Sequence, residues 1–251
     1  MAYQVGIDLG TSSCVAAVCR GDGAAHVVPL EGPTGAVASV LYLGADGTLL
    51  VGEAAERRSL SDPGRVVREL TRRIGDATPL LVGREPVMAA DLAARFLARL
   101  VDDVARREGG VAARVAVTHP GSWGPHRLGA LRTALAEQGL GSAVLVPEPV
   151  AAVAGSAGSL RPGAVGVYDL GGGRFEASVV RSGPGGLVPA APSEELDFGG
   201  ADLDEVVFAH VRDALGTVWE AATRSYHCPM RAESIHASFR GACHQRVYAG
   251  L

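Results

Sequence analysis

Two short runs of the chain set a carboxylate at the mouth of a glycine turn. Gly6-Ile7-Asp8-Leu9-Gly10-Thr11-Ser12-Ser13-Cys14-Val15-Ala16-Ala17-Val18 returns later without a gap. The second copy is Val167-Tyr168-Asp169-Leu170-Gly171-Gly172-Gly173-Arg174-Phe175-Glu176-Ala177-Ser178-Val179, every position moved by the interval that carries Asp8 to Asp169. Asp, Leu, Gly, Ala and Val coincide in the two copies. A glycine turn between antiparallel strands aims several backbone N–H groups to one side, and such nests bind phosphate oxygens. Two of them facing each other across a cleft can hold a polyphosphate from both sides. Asp8 and Asp169 would then orient Mg²⁺ through its waters, because this ion takes few direct carboxylates and keeps its hydration. Glu148, in Pro147-Glu148-Pro149, stands at a strand-to-helix junction aimed at the same cleft, where a carboxylate can position an attacking water.

A single Asp-Leu-Gly is an ordinary β-turn; two copies with matching flanks are a duplicated grip. No Gly-x-x-x-x-Gly-Lys-Ser/Thr and no Gly-x-Gly-x-x-Gly occurs, which argues against P-loop and Rossmann sites. Ser12 and Ser13 have no triad partner, so phosphate contact explains them better than nucleophilic catalysis. His227, Cys228, His236, Cys243 and His244 lack the close pairing of a zinc site, since Cys228 and Cys243 form no Cys-x-x-Cys. His119 reads as a strand-end loop residue, and Trp123 and Trp219 as packing.

The elements that position these residues follow from period and punctuation. Val5, Ile7 and Leu9 alternate toward one face, residues 14–20 return after the glycine turn, and a third strand falls near 26–29. Short strands are expected at 40–43 and 49–51. Leu92, Phe96, Leu100, Val101 and Val104 recur at helical spacing up to Gly109-Gly110. A buried strand at 114–118 leads to a helix opened by Pro125, with Leu128, Leu131 and Leu135 on one face and Gly139 as its cap. A strand at 143–146 and a small-residue helix from Pro149 follow. After the second copy the same strand–turn–strand–turn–strand unit recurs, which argues for two lobes on one plan. Leu203, Val206, Val207, Val211, Ala214 and Leu215 again have helical spacing. Residues 224–251 carry three of the seven His and two of the four Cys, with no clear period.

Composition bounds the function. Hydrophobic residues make up 47% of the 251, enough for a sizeable core. A net charge of −4 without a long basic run gives no support for nucleic-acid binding. All 23 basic residues are Arg, and the chain contains neither Lys nor Asn, so no lysine-dependent chemistry is hosted here. No apolar stretch reaches membrane-spanning length, no signal segment is visible, and the Cys are too few for a disulfide framework. A reduced, cytoplasmic protein is expected.

These motifs resemble the nucleotide-binding domain of the seventy-kilodalton heat-shock chaperones, the DnaK type. Residues 6–16 are similar to the family's first phosphate motif. Asp46-Gly47 through Val51-Gly52-Glu53-Ala54-Ala55 to Arg57 resembles its next segment, and Arg72-Arg73-Ile74-Gly75 the basic stretch after that. Glu148-Pro149-Val150-Ala151-Ala152 matches the first connecting motif, residues 167–173 the second phosphate motif, and Gly199-Gly200-Ala201-Asp202-Leu203-Asp204 the second connecting motif. The resemblance implies an α/β, actin-like ATPase fold with duplicated ribonuclease H-like lobes. Lobe one would be nearly complete in residues 1–162 and lobe two partial in 163–222, followed by an irregular tail at 223–251 that is not native to the fold, as a frameshift would give. It also implies Mg-ATP in the cleft, with Gly10, Thr11, Ser12, Gly171, Gly172, Gly173 and Arg174 around the phosphates. Asp8, Glu148 and Asp169 would serve catalysis, with Asp8 and Asp169 next to the metal. Nucleotide state would be relayed to client proteins and co-chaperones through domains outside these residues.

The departures bear on turnover. The position of the family's catalytic lysine falls at or beside Thr71, the threonine after the triple glycine is Arg174, and the following Asp is Glu176. The family's adenosine-binding segments fall past the point where the pattern turns irregular. A chaperone ATPase module is therefore one reading and a non-catalytic pseudo-ATPase that regulates or interacts is another. A cytoskeletal actin-like protein is a third, disfavoured by residues 13–16 and 46–57.

Overall fold

The computed structural model describes residues 2–21, 23–32, 34–156, 163–216 and 245–250. The strand β1 (Tyr3–Leu9) buries every second side chain, and β2 (Ser13–Arg20) returns antiparallel, burying Cys14, Ala16 and Val18. Cys14 and Cys19 accordingly lie on opposite faces, one buried and one partly exposed. β3 (His26–Val27) and β4 (Val37–Ala38) both pair with β2. Beyond them β5 (Leu41–Leu43) pairs with β6 (Leu49–Val51) and β7 (Val66–Val67), with α1 (Gly52–Glu56) between the last two. α2 (Leu70–Arg73) and the ribbon of β8 (Leu80–Val82) and β9 (Glu85–Val87) complete this stretch.

β10 (Arg114–His119) lies parallel to β1, and β11 (Val144–Pro147) parallel to β10. Parallel neighbours need long crossovers. α3 (Ala89–Glu108) and α4 (Pro125–Glu137) are the helices in those two connections, α3 ending at Gly109 in the left-handed conformation. They cover the sheet with Leu92, Phe96, Leu97, Leu100, Val104, Leu131 and Leu135, all buried with Ile7, Leu41, Ile74 and Val117 in one core. Full burial of each such side chain stabilises by about 1.5–3 kcal/mol. The first sheet is thus a rigid platform for whatever its strand ends carry.

The second sheet is built on β12 (Gly163–Leu170), β13 (Phe175–Gly183) and β14 (Gly186–Pro189), with β15 (Glu194–Leu196) also on β13. The duplication holds down to register. Asp8 pairs with Val15 and Leu9 with Cys14 in the first hairpin; Asp169 pairs with Glu176 and Leu170 with Phe175 in the second, the corresponding positions. α5 (Glu148–Gly155) contributes Ala152 and Val153 to a smaller core with Val165, Val167 and Val180. α6 (Gly200–Leu215) forms where its period predicts. Only Gly200 of that helix is buried, however, and Val206 stands 65% exposed.

Two expectations need correction. The stretch read as irregular contains a strand, β16 (Gln245–Gly250), paired antiparallel with β12. Backbone hydrogen bonding to the edge of a sheet makes a strand without any side-chain period. In the first sheet the corresponding edge of β1 is met by a parallel strand, β10, so the two sheets differ there. His119 is not in a loop: it ends β10 opposite Pro147, is buried, and stacks on Trp123 with ring centroids 6.0 Å apart. Trp219 and the five tail His and Cys residues considered as metal ligands lie outside the described residues.

Candidate functional site

Each glycine turn is held from behind by its carbonyls. In the first, Ser39 Oγ donates to Gly10 O at 2.7 Å and Ser39 N to Ser12 O at 2.9 Å. In the second, the first N–H groups of α6 do this: Gly200 N donates to Gly171 O at 2.9 Å and Ala201 N to Gly172 O at 2.7 Å. With carbonyls tied to the rear, a turn is left with its N–H edge as the surface for a ligand. Gly171 is the exception among the expected contacts, because its N–H closes the turn on Arg174 O at 2.8 Å. Gly199 leaves no room for a side chain, since a Cβ there would lie 2.5 Å from Arg174 N and 2.6 Å from Gly173 N.

The two turns face each other. A Cβ on Gly173 would lie 2.9 Å from the Thr11 methyl group, and one on Gly172 would overlap the Ser12 hydroxyl. Between them opens a narrow cleft lined by Asp8, Gly10, Thr11, Glu148, Asp169, Gly171, Gly172, Arg174 and Glu176. Thr118, on β10, fixes the first carboxylate: its Oγ1 donates to Asp8 Oδ1 at 2.8 Å and accepts from Leu9 N at 3.1 Å.

Glu148 opens α5 at the floor of the cleft. Burial, reinforced by the neighbouring charges of Asp8, Asp169 and Glu176 and opposed by Arg174, pushes its carboxyl up to about 8. A carboxyl so placed is shifted toward its neutral form. Glu176 sits opposite Asp169 in the hairpin; its Oε1 accepts from Gly121 N and from Ser178 Oγ, both at 3.0 Å. Its Oε2 is buried and has no hydrogen-bond partner among the described residues. A cluster of carboxylates with one orphaned buried oxygen suits a hydrated divalent cation. Among the described residues no three His, Cys, Asp or Glu side chains converge closely enough to ligate a metal directly.

The structure brings Asp8, Gly10, Thr11, Glu148, Asp169, Gly171, Gly172 and Arg174 to one cleft, with Ser12 and Gly173 in the facing turns. Sequence reasoning did not select Thr118, Glu176, Ser122, Glu195 or Asp197. Ser122 donates to Glu195, which also accepts from Arg174 Nη1 at 3.3 Å. Arg72 pairs with Glu69 at 3.3 Å and with Asp197. Of these only Glu176 carried a signal, as the residue that stands where the resemblance implies an Asp. At the position of interest for a lysine, Thr71 is 2% exposed and its Oγ1 lies 2.9 Å from Thr11 Oγ1.

The family described as Hsp70 protein matches residues 4–85 and 80–225. Chaperone protein DnaK of Thermotoga petrophila is 29% identical over 205 residues, 81% of this chain and 34% of that protein. The DnaK of Thermosipho melanesiensis is 30% identical over 206 residues, and that of Cenarchaeum symbiosum 28% over 218. The chain belongs to the Hsp70 family. It spans about a third of the length of the curated relatives it matches. No helix among the described residues is long and apolar enough to cross a membrane.

Proposed function

We propose that this chain carries the phosphate-gripping part of an actin-like ATPase module, which binds Mg-ATP between its two sheets and couples nucleotide state to protein folding. The observation that carries this reading is the pair of glycine hairpins with corresponding register, facing each other over a carboxylate-lined cleft. The two sheets are the lobes of that module, with α5 crossing from one to the other.

The roles follow from position. The N–H edges of residues 10–12 and 172–173 bind phosphate oxygens from opposite sides. Asp8, held by Thr118, and Asp169 orient the water shell of Mg²⁺, with Glu176 behind them. The ion, when bound, neutralises charge developing on the phosphates. Glu148 holds a water against the cleft floor and takes its proton once local positive charge has returned the carboxyl to its ionised form. Clients and co-chaperones act through regions outside the described residues.

A second reading, a pseudo-ATPase that binds nucleotide without turning it over, is favoured by one observation. Thr71 is buried against Thr11, so no ammonium group stands at the phosphates there. Binding tests the shared premise and turnover separates the two. Titration of the full chain with Mg-ATP by calorimetry is expected to give a dissociation constant on the order of 1 mM, near −4 kcal/mol. Sub-micromolar affinity would mean that the purine is gripped by residues assigned no role here, and no binding at all would sink both readings.

A further inference from the structure

We propose that Arg72 and Arg174 are the cations that grip the phosphate chain in this cleft, and that Glu195 and Asp197 hold both arginines in reserve until a polyphosphate displaces them. The inference rests on the nucleotide-binding reading and adds to it the cations and the mechanism that releases them.

A polyphosphate entering between Asp8, Asp169 and Glu176 meets like charge, so positive groups must face it. Among the described residues lining the cleft, Arg174 is the basic one. Its side chain is nine-tenths buried, and it pairs with Glu195 at 3.3 Å. Charge-assisted N–H···O bonds normally close to about 2.7–2.9 Å. This pair is therefore long, and little is lost when a phosphate oxygen replaces the carboxylate. Arg72 flanks the same turn from the other side: a Cβ on Gly173 would lie 3.4 Å from its Cζ and Nε. Its partner Asp197 is 82% exposed in its side chain. Asp197 keeps most of its surface in water, which screens its hold on the guanidinium, so a multiply charged phosphate chain competes well with it for Arg72, whose other partner is Glu69. The planar fork of arginine matches phosphate with two parallel N–H bonds.

The reserve acids are placed to act together. Glu195, in β15, and Asp197, just beyond it, are two residues apart and so on one side of an extended chain. Each also ties the second sheet to the first, Glu195 through Ser122 and Asp197 through Arg72. Phosphate that takes Arg72 from Asp197 removes one of these ties and leaves the Ser122–Glu195 bond in place, so phosphate occupancy loosens the join between the sheets on the Arg72 side. Glu69 sets the start of α2, which presents Arg72. Its φ of 54° makes it the one non-glycine residue with positive φ among those described, a strained conformation of the kind held at working sites.

The test is equilibrium dialysis of the full chain with inorganic tripolyphosphate and, separately, Mg-ADP. Arg72→Gln and Arg174→Met are each expected to weaken binding, and Glu195→Gln and Asp197→Asn each to tighten it, by about two- to fivefold for the exposed pair. A purely structural ion pair behaves otherwise, since losing either partner then moves binding the same way. Glu195→Gln and Asp197→Asn weakening binding, or all four variants matching the wild type while it still binds, overturns this inference and leaves nucleotide binding standing. No binding by the wild type or by Glu195→Gln removes both. Asp197 lies on the surface, so Asp197→Asn keeps the test decisive where Arg174→Met disturbs folding.

Discussion

Gly172 and Ser12, from the two glycine turns, approach so closely that a single methyl group does not fit between them. A Cβ on Gly172 would overlap the Ser12 hydroxyl oxygen and lie 2.8 Å from the Ser12 Cβ. The jaws of the proposed phosphate grip are therefore in contact, and their spacing is set by the absence of a side chain. Gly172→Ala is expected to push the turns apart, lowering Mg-ATP affinity and costing about 1–3 kcal/mol as overpacking does. Ser12→Gly in the same chain should restore most of the loss. A double-mutant cycle by calorimetry and thermal unfolding checks this, and additive effects would show that the two residues do not constrain each other.

Thr118 links the end of β10 to the Asp8 carboxylate and to Leu9 N with one hydroxyl. Thr118→Val keeps the shape and removes both bonds. It is expected to cost about 1–3 kcal/mol in stability, since it strands buried hydrogen-bonding groups. Mg-dependent nucleotide binding should weaken more than binding measured without Mg, because Asp8 serves the ion. Equal losses with and without Mg would make Thr118 a folding residue only.

Glu148 makes stability depend on pH. Its carboxyl, ordinarily at 4.5, is raised to about 8 in the folded chain, by burial first and then by Asp8, Asp169 and Glu176. Between those values the folded chain binds a proton that the unfolded chain has lost. The stabilisation is full below pH 4.5 and declines as pH rises through about 8. Melting temperature should fall across that window, and Glu148→Gln should flatten the fall. Millimolar Mg²⁺ should oppose it by favouring the carboxylate, and EDTA should return the slope. A slope unchanged by Glu148→Gln would assign the pH dependence to other groups.

What the sequence could disclose was whatever repeats or has a period. The two hairpins were legible as strand–glycine turn–strand units, because a duplicated pattern marks turn and strands together, whereas the pairing of Asp8 with Val15 and Asp169 with Glu176 is disclosed by the structure. α3 was legible because five apolar positions follow one helical face. The contacts that join the cleft across the chain were not: Gly121 to Glu176, Ser122 to Glu195 and Arg72 to Asp197 link distant positions by single polar groups without any pattern. His119 was misplaced by one register step, since Pro120 reads as a loop while β10 still pairs at His119 with Pro147. For α6 the period gave the helix but not its surroundings, and its Val206 and Val207 are exposed. Period reports which face is apolar, not what covers it.

Hydrolysis of ATP is expected to be slow or absent, for a reason lodged at Thr71. Phosphoryl transfer is catalysed mainly by positioning and by cations matched to charge that develops in the transition state. The Hsp70 resemblance implies a lysine at that place, whereas Thr71 is uncharged, buried and engaged with the Thr11 hydroxyl. Losing one such charge typically costs on the order of a hundredfold or more in rate. Arg72 and Arg174 can bind phosphate, but each starts from an ion pair, and a broad guanidinium does not take the place of an ammonium without rearrangement. Thr71→Lys would break the bond to Thr11 and bring an amine to the first turn, so single-turnover hydrolysis should rise by a factor of ten or more, on the order expected for one restored transition-state cation. The measurement belongs in a longer chain that supplies the family's adenosine-binding segments, so that weak affinity does not mask the rate. Should the unmodified sequence already hydrolyse ATP at the rate of a matched DnaK in the same assay, with Arg174→Thr abolishing it, Arg174 does the work of the lysine and the pseudo-ATPase reading fails.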